Sequence, residues 1–369
     1  MKTFQFIPIC FIALMACSTS DNSGINNPPI EPTIIDLSQP WQTASLSEVN
    51  IDELSQAVNE ANAHPRMESL LVVRNGKLVL EEYFDGAQVN DLQDVRSVTK
   101  SVVSILTGIA IEKGLISSID DPIGPYLINT TFDLTAEQQA IAIRDLLTMS
   151  SGFEWDEWTS DSYSQWIQSG MPVAYLLDLP FTSTPGSSFT YNSASTHLLG
   201  VVVSEAVGTG LDEFANTYLF NDLGITSYAW EFFNDGSING GAGIDLRPRD
   251  LAKLGQLFLQ NGLSGSEQVV PSSWVTSTTH PSYSWRFDYG ALTQYTYGQL
   301  WWVRDANSNQ DEAYLAWGHG GQYIFVVPAK DLIVVTTTNW VNSAAAGGAQ
   351  ALEQAALDVI INDVLSKVN

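Results

Sequence analysis

Ser97 and Lys100 are the residues of this 369-residue sequence whose types and spacing most directly suggest covalent chemistry. They stand in Arg96-Ser97-Val98-Thr99-Lys100, at the head of a run closed by Gly114. Its apolar residues, Val102, Val103, Ile105, Leu106, Ile109 and Ile111 among them, fall on nearly every face of a helix. A helix that is apolar all round is buried. Residues three apart share a helix face, so the hydroxyl and the amine are neighbours. Burial penalises the charged form of a lysine and lowers its pKa. The neutral amine can then take the serine proton, and the helix N-terminus favours the negative charge that develops. Ser-x-x-Lys alone is a weak pattern, expected by chance about once in a chain of this kind. On spacing alone, an N-cap serine followed by a solvated lysine fits as well. The context is what singles it out: it is the sequence's one Ser-x-x-Lys, and it opens the most apolar helix.

Other chemistries find less support. The four histidines, at 64, 197, 280 and 319, form no zinc-ligand spacing, so neither a metal nor another cofactor is expected. No Gly-x-Ser-x-Gly is present, which argues against an α/β-hydrolase elbow. Asp and Glu number 41 against 15 Lys and Arg, a net charge of −26. Such a surface repels phosphate backbones and anionic headgroups, which excludes nucleic acid as a partner and favours solubility.

The elements that must position Ser97 and Lys100 are readable in part. A helix is expected over 51–63, with apolar residues at 51, 54, 58 and 61. Leu70 to Arg74 and Lys77 to Glu81 flank Asn75-Gly76, a strong hairpin signal. Strand-like runs then vanish for about two hundred residues, returning at Gln299 to Val303, Tyr323 to Val327 and Leu332 to Thr337. A last amphipathic helix is expected from about Gly348 to Leu365. The implied fold class is α+β: an antiparallel sheet of about five strands flanked by the first and last helices. A large, mainly helical insertion forms a second lobe, with the site in the cleft between the two. The α/β lobe is expected over 46–96 and 285–369, and the helical lobe over 97–284.

The N-terminus carries a different signal. Met1-Lys2 and the apolar stretch from Phe4 to Ala16 form a signal-peptide pattern too short for a stable membrane span. It ends at Leu14-Met15-Ala16-Cys17, which resembles a bacterial lipobox although Met15 replaces the usual small residue. The expectation is a signal peptide over 1–16, lipidation of Cys17, and a polar, Pro-containing tether over 17–45. An exported lipoprotein in the periplasm or at the cell surface follows, with a soluble periplasmic or secreted protein as the alternative. Cys10 lies in the removed segment, so the mature chain has no partner for an internal disulfide.

The stretch from Val95 to Leu127 resembles the first motif region of class C β-lactamases and their penicillin-binding-protein relatives, as does Ile143 to Gly152. Tyr191-Asn192-Ser193, preceded by Pro185-Gly186 and followed by His197 to Gly200, resembles the family's Tyr-x-Asn or Tyr-x-Ser motif. Gly318-His319-Gly320-Gly321 stands where relatives carry Lys-Thr-Gly or His-x-Gly. Arg249 to Gly255 and Tyr297 to Trp302 are further landmarks, and the resemblance runs over about residues 45 to 366. It implies a β-lactamase/transpeptidase-like fold and a serine hydrolase. Ser97 would attack an ester or amide carbonyl, Lys100 would be the base, and Tyr191, hydrogen-bonded to both, would shuttle the proton. The oxyanion hole would use the Ser97 N–H and one after the glycine-rich motif, at Gln322; losing one such donor costs about 10²–10³ in rate. Ser193, His319, Gly320 and Gly321 would line the substrate site. The aromatics Trp155, Trp158, Tyr163 and Trp166 would either line an acyl pocket or belong to the core.

Two departures narrow the activity. Lys-Thr-Gly is absent, and the second motif reads Tyr-Asn-Ser rather than Tyr-Ala-Asn or Tyr-Ser-Asn. Both favour the esterase and amide-hydrolase branch, which includes enzymes similar to 6-aminohexanoate-dimer hydrolase, over a β-lactamase or a D-Ala-D-Ala-type peptidase. The partner expected is a small ester, amide or peptide-like molecule, with membrane contact only through the lipid anchor. A non-catalytic protein on the same fold, holding cell-wall peptide or a small ligand, is the rival reading; it predicts a broken nucleophile–base set, whereas Ser97, Lys100 and Tyr191 are intact.

Overall fold

Asn75 and Gly76 both adopt positive φ, 51° and 67°, as a two-residue hairpin turn requires. They join β1 (Met67–Arg74) to β2 (Lys77–Tyr83). The computed structural model describes residues 32–307, 310–341 and 343–368. The expected signal peptide, Cys17 and the first part of the tether lie outside the described residues.

Six more strands extend this hairpin: β3 (Phe287–Tyr289), β4 (Leu292–Tyr297), β5 (Trp302–Arg304), β6 (Ala313–Gly318), β7 (Gln322–Val327) and β8 (Leu332–Thr338). Together they form one antiparallel sheet of eight strands in the order β2-β1-β8-β7-β6-β5-β4-β3. The expectation of five strands is therefore corrected. The unforeseen β3 and β4 hold one aliphatic residue, Leu292, among Phe, Tyr, Thr, Gln and Asp, and β6 contains Ala and Gly. Their β-character comes from aromatic cross-strand packing, such as Phe287 on Tyr295 at 4.0 Å between centroids. The strand expected over 299–303 starts late, at Trp302, because Leu300 takes a φ of +61° and its N–H goes to Leu147 O.

Five helices frame the site: α1 (Ser55–Ala63), α2 (Val98–Glu112), α3 (Ser193–Val207), α4 (Pro248–Leu259) and α5 (Ala349–Asp358). On β7, Ile324 lies against Gly255 of α4, while the Tyr323 hydroxyl reaches the Glu353 carbonyl of α5. Successive strand side chains point to opposite faces, so α4 and α5 cover opposite faces of the sheet. This explains why every residue of β7 and β8 is buried. Because α4 packs on β1, β7 and β8, it belongs with the sheet and not with the helical lobe in which the sequence placed it. The last helix continues beyond Asp358 as a π-helical turn, Val359–Val364.

Helix α2 joins the two lobes. It packs on β6 and β7 on one side and on α3 on the other, and from Val98 to Ala110 all of its residues are buried.

The tether expected up to residue 45 is docked from Thr33 onward. The Thr33 hydroxyl donates to Asp331 at 2.6 Å and the Ile35 N–H to Gln260 at 3.2 Å. Leu37 is fully buried, its N–H on Ser264 Oγ at 3.0 Å. The body supplies these partners from residues far along the chain, so the segment needs no periodicity of its own and shows none.

Candidate active site

The turn entering α2 is tightly set. Arg96 has a φ of +50°, a conformation that costs a non-glycine residue of order 1–3 kcal/mol and clusters at functional sites. The Thr99 hydroxyl and N–H both donate to the Arg96 carbonyl, at 2.6 and 3.0 Å. The Arg96 guanidinium lies on the Trp340 ring, 4.5 Å from its centroid, and donates to the Tyr163 hydroxyl at 2.8 Å. Ser97 follows, half-buried, at the N-terminus of the helix.

Lys100 points back to it. Its Nζ is 2.8 Å from Ser97 Oγ, 2.9 Å from Ser193 Oγ and 2.6 Å from the Gly241 carbonyl. The side chain is 1% exposed. Burial pushes its pKa down to about 7, with the Glu157 charge opposing the shift and Arg96 adding to it. An amine of this pKa is substantially neutral at physiological pH and lies within hydrogen-bond reach of a serine, the geometry a general base requires.

Tyr191 closes the third side. Its ring lies between Trp158 and Trp302, with centroids at 5.3 and 5.8 Å. Burial and then the Glu157 charge raise its pKa well above the ordinary phenol value, while a hydrogen bond with Ser97 pulls the other way. It therefore stands as a neutral phenol, able to pass a proton but not to serve as a resident phenolate. Lys100 Nζ lies 5.0 Å from the centroid of the Tyr191 ring, while the Tyr191 hydroxyl keeps its hydrogen bond with Ser97, one of the two expected.

In Tyr191-Asn192-Ser193, the last two residues divide the work. Asn192 caps α3, its Oδ1 accepting from Ser195 N at 2.9 Å. Ser193 is fully buried and bonded to Lys100. Glu157, which sequence reasoning did not single out, accepts the Ser193 hydroxyl on one oxygen, and on the other Ser193 N at 3.1 Å and Trp155 Nε1 at 2.6 Å.

The glycine-rich turn lies on the chain that leads into Ser97. A Cβ on Gly318 would come within 2.2 Å of the Val95 carbonyl, so only glycine permits this approach. Gly320 N donates to Glu353 Oε1 at 2.8 Å, and the Tyr289 hydroxyl donates to the other oxygen at 2.7 Å. His319 stands half exposed at the rim, its Nδ1 3.5 Å from Glu353 Oε1 and its ring against Trp340. Lost hydration and then Arg96 push the His319 pKa down to about 4, and burial raises that of Glu353. Both shifts favour neutral forms, so this contact is not an ion pair. Gly321 is buried at the back of the turn, its carbonyl accepting from Thr336 Oγ1 at 2.9 Å. Gln322 pairs with Gly318 across β6 and β7, and its side chain is fully buried and brackets Thr338.

The four candidate pocket aromatics separate. Trp166 is core, packed on His197 and Phe233. Trp155 holds Glu157, Tyr163 holds Arg96, and Trp158, 64% exposed, is the outer lip over Tyr191. No group of three or more potential ligands able to hold a metal ion occurs among the described residues.

Comparison with known proteins gives the family. The Beta-lactamase family model matches residues 59–358. The chain belongs to the β-lactamase family. It is similar to 6-aminohexanoate-dimer hydrolase from Paenarthrobacter ureafaciens, 26% identical over 300 residues, covering 74% of this chain and 72% of that protein. Among solved structures it resembles a Bacillus anthracis protein provisionally named 6-aminohexanoate-dimer hydrolase, at TM-score 0.70 and 19% identity, covering 90% of this chain and 88% of the other. It also resembles a D-stereospecific amidohydrolase from Streptomyces sp., at TM-score 0.64 and 15% identity, covering 83% and 98%. The β-lactamase/transpeptidase-like fold expected from the sequence is thus the fold observed, and this member of the β-lactamase family is a hydrolase.

Proposed function

We propose that this β-lactamase-family hydrolase works through Ser97 as nucleophile, cleaving small esters or amides by way of an acyl-enzyme. The observation that carries the reading is the buried Lys100 amine, its pKa held at about 7, lying 2.8 Å from Ser97 Oγ. In acylation, the Ser97 proton moves to Lys100 as Oγ bonds the carbonyl carbon and the carbonyl π pair moves onto oxygen. Collapse breaks the bond to the leaving group, which departs with a proton passed from Lys100 through Tyr191. Water then adds to the acyl carbon and gives up its proton through Tyr191 to Lys100; as the acyl–Oγ bond breaks, Lys100 returns a proton to Oγ and restores Ser97. The developing oxyanion lies between the Ser97 N–H and the glycine-rich turn.

The absence of Lys-Thr-Gly, with a neutral His319 in that region, leaves the turn without the cation that would hold a β-lactam or peptide carboxylate. The exposed ring of Trp158 over Tyr191 suits an apolar acyl group. Hydrolysis of p-nitrophenyl butyrate by residues 18–369, beside Ser97→Ala, tests the reading. Turnover by the wild type and a loss of at least about 10³-fold in the variant are expected; equal activity in the two contradicts it.

We further propose export as a lipoprotein anchored at Cys17, on the strength of the Met1 to Cys17 pattern. Metabolic palmitate labelling that disappears in Cys17→Ala is the expected outcome, and labelling that persists in the variant contradicts it.

A further inference from the structure

Lys100 Nζ has three oxygen neighbours, and counting protons among them leads to Glu157. A neutral lysine amine offers two N–H donors and one lone pair. The Gly241 carbonyl at 2.6 Å can only accept, so it takes one N–H. The Ser193 hydroxyl at 2.9 Å has a single proton, and its other neighbour is the Glu157 carboxylate, which can only accept. That proton therefore goes to Glu157, and Ser193 Oγ must accept the second N–H of Lys100. The lone pair is left facing Ser97 Oγ at 2.8 Å.

We infer that Glu157 is a positioning residue which, acting through Ser193, fixes the direction of the hydrogen bonds around Lys100 so that its lone pair is aimed at Ser97. The inference rests on the serine-hydrolase reading of the same site. Both carboxylate oxygens are already engaged inward, one by the Ser193 hydroxyl and the other by Ser193 N and Trp155 Nε1. Glu157 is thus occupied by the enzyme's own donors. Its charge also reaches Lys100, Tyr163, Tyr191 and Tyr297, and Arg96 is the further cation facing Lys100.

A distinctive prediction follows from Glu157→Gln. The oxygen that accepts from Ser193 N and Trp155 Nε1 receives two donors, so the amide carbonyl must occupy that place. The amide NH2 then faces Ser193 Oγ and donates to it. Ser193 must turn its own proton towards Lys100, which draws the lone pair away from Ser97. Glu157→Ala, by contrast, leaves Ser193 free to accept from Lys100. The isosteric variant should therefore be the worse one.

The experiment compares kcat and KM for p-nitrophenyl butyrate in the wild type, Glu157→Gln, Glu157→Ala, Ser193→Ala and the Glu157→Gln/Ser193→Ala double variant. The expected result is a kcat loss of about 100-fold in Gln and about 10-fold in Ala, within the usual reach of general-base effects. KM should stay within about threefold, and the double variant should be no slower than Ser193→Ala alone. Glutamine matching or exceeding alanine in kcat, or multiplicative losses in the double variant, overturns the inference. A carboxylate with a merely structural role would give the opposite order.

An inert wild type would count against the serine-hydrolase reading on its own. The network is then read without turnover, from the 13Cε resonance of Lys100 assigned with Lys100→Met. Loss of the Glu157 charge should displace its titration to lower pH in both Glu157 variants, and a titration unmoved in both overturns the inference.

Discussion

Two lysines are buried among the described residues, and the contrast between them shows what makes one of them reactive. Lys253, in the middle of α4, donates to the Leu223 carbonyl at 2.6 Å. Burial lowers its pKa, but Asp250, itself paired with Arg247 at 2.6 Å, lies close enough to oppose the shift directly. Lys100 is buried more completely, and the nearest carboxylate stands one hydroxyl away, beyond Ser193. Its other neighbours are a carbonyl and a serine. At Lys253 a carboxylate three residues back on the same helix opposes the cost of burial, and the amine is tied to the Leu223 carbonyl. Where the carboxylate acts through an intervening hydroxyl, the amine can be neutral and still held in place. Burial alone does not make a base; the choice of partners does.

The largest effect expected from breaking this contrast is at Lys100. Lys100→Met should lower kcat for p-nitrophenyl butyrate by at least about 10³-fold, because the proton acceptor is lost. Its stability should respond differently. The folded-state pKa of about 7 lies below the ordinary lysine value of 10.5, so between these pH values the unfolded chain binds more protons than the native one. Wild-type stability should therefore rise with pH across that window, and the penalty of burying the amine is largest below it. In Lys100→Met this component of the slope should vanish, which urea titrations at pH 7 and pH 9 can read.

Lys253→Met should do the reverse. Activity should stay within about twofold of wild type, while stability falls by about 1–2 kcal/mol from the unpaired Leu223 carbonyl. A smaller effect is expected at the lip. Trp158→Ala removes an exposed ring lying on Tyr191; KM for an apolar ester should rise about three- to tenfold with kcat nearly unchanged, as for loss of uniform binding.

What could be read in advance depended on distance along the chain. Ser97 and Lys100 share a helical turn, so three residues of sequence carry both the pair and its burial. The Asn75-Gly76 hairpin was equally local. Tyr191, Ser193 and the glycine-rich turn entered through family resemblance, since their spacing contains no sign of Ser97. Glu157 and Gly241 had neither advantage. Glu157 reaches Ser193 from 36 residues away in a loop, one of 41 acids, and Gly241 presents a carbonyl that every residue possesses. Strands β3 and β4 were missed because aromatic cross-strand packing, not aliphatic alternation, holds them, and β6 because Ala and Gly dilute its pattern.

If neutral Lys100 activates Ser97, kcat/KM for p-nitrophenyl butyrate must vary with pH between 5 and 9. Activity should rise with pH along a limb with an apparent pKa of about 7, set by deprotonation of Lys100. The limb should be absent from the residual rate of Lys100→Met. A profile that is flat across this range, or one that Lys100→Met reproduces, would contradict it.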